Sequence, residues 1–203
     1  MRIQGPQAVN RTTPASGKDV ALRDGLSRRF ERDQSARRTA AETRSPADWD
    51  VVVSIDRDNT AWMRKVVDEN GWPRISQVGE VASNQAWLLV QHADLAPDFQ
   101  AQCLPLLEQA AREGEASLAN VAYLTDRVCS NQGQPQVYAT QFLVEGGVLV
   151  PERVAPPATL EAVNSRRAAM GLSTIQEYAK ELAEFGGMPV DLSSLEENGL
   201  DAD

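Results

Sequence analysis

Three features predict a mainly α fold, a helical bundle-like single domain with one β-hairpin near residues 136–150. Apolar residues recur at helical spacing over most of the first 130 positions. One later stretch alternates instead, around the turn residues Glu145-Gly146-Gly147. The length of 203 residues, 42% of them hydrophobic and 24% charged, suits a single soluble unit with a real core.

The first helix is expected from Lys18 to about Glu42, where Val20, Leu22, Leu26 and Phe30 make a narrow stripe before the polar run Arg28 to Arg38. Ser45-Pro46 breaks it. A second helix spans about Asp48 to Asn70 and ends at Gly71-Trp72-Pro73. After a loop through Gly79, residues 82–94 read as a buried helix. Pro97 suits a first helical position, and Phe99, Cys103, Leu106, Leu107 and Ala110 carry that helix to Gly114. A shorter helix covers about 117–129. Gln136 to Val144 and Val148-Leu149-Val150 form the hairpin, and Pro151, Pro156 and Pro157 mark an extended connector. Two helices, Thr159 to Met170 and Thr174 to about Phe185, complete a globular domain of residues 18–185. Residues 1–17 read as a disordered Pro/Gly/Ser/Thr leader, and 186–203 as an acidic flexible tail. The four tryptophans, Trp49, Trp62, Trp72 and Trp87, are expected in the core.

The formal charge is −9, which argues against duplex nucleic acid and acidic membranes as partners. The balance is uneven: residues 1–45 hold ten Lys/Arg against five Asp/Glu, and the remainder ten against 24. A basic leading segment is therefore expected to fold back onto the acidic body or to stay solvated rather than to bind nucleic acid. No apolar run reaches the roughly 18–20 residues of a membrane helix. Cys103 and Cys129 have no metal-ligand spacing and read as free thiols. A cytoplasmic location follows, with secretion through a specialised injection system the alternative that the Ser/Thr/Pro/Gln-rich leader keeps open.

A set of short motifs in fixed order resembles a bacterial family, domain of unknown function 6624. They are Asp33-Gln34 with Arg37, Gly71-Trp72-Pro73, Gly79, Gln91-His92-Ala93, Leu124-Thr125-Asp126-Arg127, Gln136-Val137-Tyr138-Ala139-Thr140-Gln141, and Asn164-Ser165-Arg166-Arg167 with Gly171-Leu172. The resemblance runs from about Leu22 to Tyr178. It implies a shared fold and polar constellation and no particular activity. Two positions depart from the pattern: Ala139 stands where the family has glycine, and Asn164 where it has aspartate.

His92 is the only histidine in the chain and lies in an apolar helical run. Imidazole titrates near neutrality, so it is the natural acid or base. Asp94, at i+2, diverges from it on a helix, which leaves Asp33 or Asp126 as the carboxylate that orients it. The candidate catalytic residues are thus His92, Asp126 and Asp33. Arg37, Gln34, Arg127, Tyr138 and Gln141 are candidate substrate-binding residues, the guanidiniums for an anionic or phosphate-bearing small molecule. A single histidine without a carboxylate at i+3 or i+4 gives no metal-ligand spacing, and Asp56-Arg57-Asp58-Asn59 lacks the glycine and twelfth-position glutamate of a calcium loop. No glycine-rich phosphate loop or nucleophile elbow occurs, and no cofactor is expected. Two functions fit: a hydrolase or transferase with a His-centred acid–base site, or a non-catalytic binding or interaction module, a secreted bacterial effector among the forms it could take, whose polar residues form a structural network, its protein partner unknown.

Overall fold

The computed structural model describes residues 17–196. The fold is mainly α, a single domain with one two-stranded hairpin. Helix α1 (Gly17–Thr43) is strongly polar, and its fully buried residues are Leu26, Asp33 and Ala40. A spacing of seven keeps these three on one seam. A carboxylate thus sits where the pattern calls for an apolar residue. Helix α2 (Pro46–Asn70) starts with proline in its first turn, where the missing N–H is no loss, and stops at Gly71, which takes a φ of 70°.

Basic α1 packs along acidic α2: Arg29 and Arg32 both reach Asp58, at 3.0 and 2.8 Å, and Arg37 reaches Asp56 at 2.6 Å. Helix α3 (Ile75–Val78) is a single turn within the stretch expected as loop. Helix α4 (Glu80–Gln91) ends before residue 94, so His92 caps the helix rather than lying inside it. Helices α5 (Pro97–Arg112) and α6 (Leu118–Asn131) pack on one another and close the main core, which includes Leu26, Met63, Leu89, Phe99, Leu107 and Leu124. Trp72 belongs to that core and Trp62 and Trp87 pack at its edge, but Trp49 is 45% exposed. Periodicity counts a residue as core wherever it falls on the stripe, whether or not another element covers it.

The hairpin pairs β1 (Phe142–Glu145) with β2 (Val148–Pro151), Glu145 opposite Val148. Gly146 and Gly147 both take positive φ, as a two-residue turn of this hand requires. Residues 136–141, expected as strand, form a loop instead, for reasons given below. Helices α7 (Leu160–Ala169) and α8 (Ile175–Gly186) follow, the second opened by a capping box of Thr174 and Glu177. A smaller core joins Ala139, Val154, Val163, Ile175 and Leu195.

Leu195 comes from α9 (Ser193–Glu196), within the segment expected as a flexible tail. There Leu149 donates its N–H to Pro189 and accepts from Asp191, both at 2.9 Å. Residues 187–196 are therefore part of the fold. The expected leader, up to residue 16, and residues 197–203 lie outside the described residues. No described helix is long and apolar enough to cross a membrane.

Candidate acid–base site

Helices α1, α2 and the end of α4 meet around Asp33. Its carboxylate, 1% exposed, accepts from His92 Nδ1 with both oxygens at 3.1 Å. Gln34 Nε2 donates at 2.8 Å and Arg37 Nε at 3.2 Å. Burial pushes the Asp33 carboxyl up, but the hydrogen bond and charge of His92, the charge of Arg37 and the Gln34 amide together outweigh it. Asp33 is held below the ordinary carboxylate range and is an anion at neutral pH.

An anionic acceptor at Nδ1 fixes the proton there, so neutral His92 carries its lone pair on Nε2. That nitrogen has no hydrogen-bond partner among the described residues, and the side chain is 19% exposed. The ring is held at one end and free at the other.

Arg37 also binds Asp56, which sequence reasoning passed over as part of a failed calcium loop. Burial raises the Asp56 carboxyl above its usual value, with the charge and hydrogen bond of Arg37 pulling the other way and the Asp33 charge adding to the rise. Asp33, Asp56 and His92 offer ligand atoms within 4.8 Å of one another, a juxtaposition that spacing along one helix could not announce. The Arg37 guanidinium already bridges the two carboxylates. Among the described residues, the cation bonded to these carboxylates is the Arg37 guanidinium.

The end of α4 is fastened from below. Gln100, fully buried on α5, donates to the carbonyls of Val90 and Gln91 at 3.2 and 3.1 Å and accepts from Asn131 at 2.7 Å. Both carbonyls lie in the last turn of the helix; Val90 also accepts the Ala93 N–H at 3.0 Å, just past the helix end. Gln100 thereby sets the position of His92; the only signal in sequence is an amide among apolar neighbours. Arg127 pairs with Asp94 at 3.3 Å.

Asp126 does not join this cluster. Its carboxylate, fully buried on α6, accepts the N–H groups of Val137 at 2.7 Å, Tyr138 at 3.0 Å and Thr140 at 2.9 Å, and the Thr140 hydroxyl at 2.9 Å. Burial raises its carboxyl above the usual value although these donations oppose the rise. Three N–H groups can converge on one carboxylate because Ala139 takes a φ of 54°. This is why residues 136–141 are not strand: the N–H groups of Val137, Tyr138 and Thr140 are committed to Asp126 and that of Gln141 to the Gln136 side chain.

The carbonyl side of the loop is held as firmly. Arg166 donates to Val137 at 2.8 Å, and Arg167, fully buried, donates to Tyr138 at 2.9 Å and lies over the Tyr178 ring. Gln136 spans the loop base, donating to Gln141 and Glu152 and accepting from the Gln141 N–H. The Gln141 side chain bonds Thr140. Of the motif residues, then, Asp33, Gln34, Arg37 and His92 come together, while Asp126, Tyr138, Gln141, Arg166 and Arg167 build a second network. At the departure Asn164, the side chain accepts the Ile175 N–H at 2.7 Å and caps α8, which an aspartate would do equally.

Fold and site define a helical domain with a carboxylate-held histidine at a helix end and a clamped loop on its C-terminal side. The chain belongs to the family of unknown function DUF6624, which matches residues 21–191. No curated protein and no solved structure matches it.

Proposed function

We propose that this chain is a small acid–base enzyme, a hydrolase or transferase acting on an anionic small molecule. The observation that carries the reading is the pairing of buried, ionised Asp33 with His92 Nδ1, which leaves Nε2 without a partner among the described residues. In such a dyad Nε2 takes a proton from the attacking water or hydroxyl as the new bond forms. Asp33 stabilises the imidazolium, and the same proton passes to the leaving group as its bond breaks. Gln34 and Arg37 act through Asp33 as positioning residues. Tyr138 is anchored through its backbone N–H to the Asp126 network and is assigned no part in this dyad. Both thiols are free, in keeping with a cytoplasmic place of work.

One observation favours a second reading. Arg37 and Arg127, the guanidiniums expected to bind substrate, are each already paired with carboxylates. A non-catalytic binding module would look the same.

The test is turnover of a panel of phosphomonoesters, phosphodiesters and acyl esters by wild type, His92→Asn and His92→Leu, with thermal melts alongside. The expected outcome is one hydrolysed or transferred class whose rate falls roughly 10²–10⁴-fold in both variants while His92→Asn melts near wild type. Full activity in either variant, or no turnover of any class by wild type, overturns the enzyme reading in favour of the module.

A further inference from the structure

One face of α1 carries Gly25, Arg28, Arg29 and Arg32, which with Trp62 of α2 line a surface cavity of about 270 Å³. The positions fall at i, i+3, i+4 and i+7, so the helix presents them together. Gly25 is a helix-interior glycine, a choice that weakens a helix unless space demands it. Here space does: a Cβ at Gly25 would come within 2.9 Å of Trp62 Cζ2. The indole is seated against the α1 backbone and forms one wall.

The arginines differ in how they are held. Arg29 lies 4.8 Å over the Trp62 ring and donates to Asp58 and to Asn59 Oδ1, both at 3.0 Å. Asn59 is 1% exposed, and serving Arg29 leaves its buried Nδ2 without a partner. A fold that tolerates an orphan buried donor to fix one guanidinium is holding it in place. Arg32 shares the same Asp58, and Arg28 has neither ion pair nor hydrogen bond among the described residues. Among the described residues Asp58 is the one carboxylate paired with these three guanidiniums, so their own charges exceed its charge by two, in a chain whose net charge is −9.

We infer that this cavity binds the dianionic group of a small phosphate monoester, with the organic part against Trp62. The surplus charge matches a dianion, and guanidinium forks fit phosphate oxygens better than they fit a point acceptor. The cavity is larger than a phosphate group alone requires. It also supplies what Arg37 and Arg127 do not, cations with capacity left over. The inference stands on the cavity alone, whether or not His92 turns over a substrate.

Phenyl phosphate, benzoate and inorganic phosphate titrated into the full chain at constant ionic strength provide the test, followed by tryptophan fluorescence and calorimetry. Phenyl phosphate should saturate, bind about tenfold or more tightly than benzoate, and weaken by about tenfold in Arg28→Gln and in Arg32→Gln. Inorganic phosphate should compete with it. His92→Asn should bind phenyl phosphate as wild type does, which separates the failure of this site from the failure of the dyad. Arg28 is exposed and has no partner to lose among the described residues, so its replacement leaves the fold intact. Equal affinity for benzoate, a signal that never saturates, or undiminished binding in Arg28→Gln would overturn the assignment.

Discussion

Asp33 and Asp126 are both withdrawn from solvent, one on α1 and one on α6, yet they keep opposite company. Asp33 is surrounded by side chains: an imidazole, a guanidinium and an amide. Asp126 is surrounded chiefly by backbone N–H groups. The first carboxyl is held below the usual value and the second above it. Partners that carry charge stabilise the anion enough to overcome burial, whereas neutral backbone donors at Asp126 do not. The difference also separates roles. A carboxylate bonded to the backbone fixes a chain path and has nothing to hand on; one bonded to a histidine sets the state of a group that exchanges protons.

The largest expected effect tests the structural half. Asp126→Ala strands three N–H groups and a hydroxyl in the interior and should cost about 3–5 kcal/mol, read from urea unfolding. Asp126→Asn keeps one acceptor oxygen and should cost less. An Asp126→Ala protein that melts like wild type but has lost an activity would erase the contrast and return Asp126 to the site.

Asp33→Asn should cost about 1–3 kcal/mol at neutral pH, since the amide keeps the volume but weakens the hold on Arg37 and His92. Its sharper signature is pH. The folded chain binds the Asp33 proton more weakly than the unfolded chain does, so the ionic part of its contribution is complete above the ordinary value of 3.8 and vanishes as pH falls through the lower folded value. The stability gap between wild type and Asp33→Asn should therefore shrink on going from about pH 6 to below pH 3. Asp126 has the opposite sign: its folded value is raised, so the part of its contribution that is linked to ionisation is present at low pH and is lost as pH rises through that value. A gap for Asp33→Asn that is flat across this range would mean that the dyad is not charged.

Much of the helical fold was legible because its signals are local. Pro46, Gly71 and Pro97 mark helix ends by backbone chemistry alone, and Gly146-Gly147 marks the hairpin turn. The loop at 136–141 was not legible: alternation of Gln, Tyr and Thr suits a strand, and only the distant Asp126 carboxylate diverts it. Leu195 was hidden for a related reason, since its core is assembled from α7, α8 and the connector rather than from periodicity in its own segment. In the site, His92 was readable as the lone imidazole in an apolar run, whereas Asp33, inside the polar run Arg28 to Arg38, was picked out by the motif Asp33-Gln34 with Arg37. Asp56 was not, because its partner Arg37 lies on another helix and the run around it looks like ordinary surface charge.

The smallest expected effect is at Ala139, where the loop around Asp126 meets the smaller core. An L-residue in the left-handed region carries a cost of roughly 1–2 kcal/mol, and Ala139 takes a φ of 54° so that its neighbours can face Asp126. Glycine would remove that strain. It would also delete a methyl group that is fully buried in the smaller core, worth about 0.8 kcal/mol, and loosen the unfolded chain by about 0.4–1 kcal/mol. The two sides nearly cancel, so Ala139→Gly should shift unfolding free energy by less than about 1 kcal/mol. A gain above about 2 kcal/mol would show that strain dominates and that the loop holds its shape against its own sequence. A loss of that size would show that the methyl group, as part of the second core, helps hold the loop around Asp126.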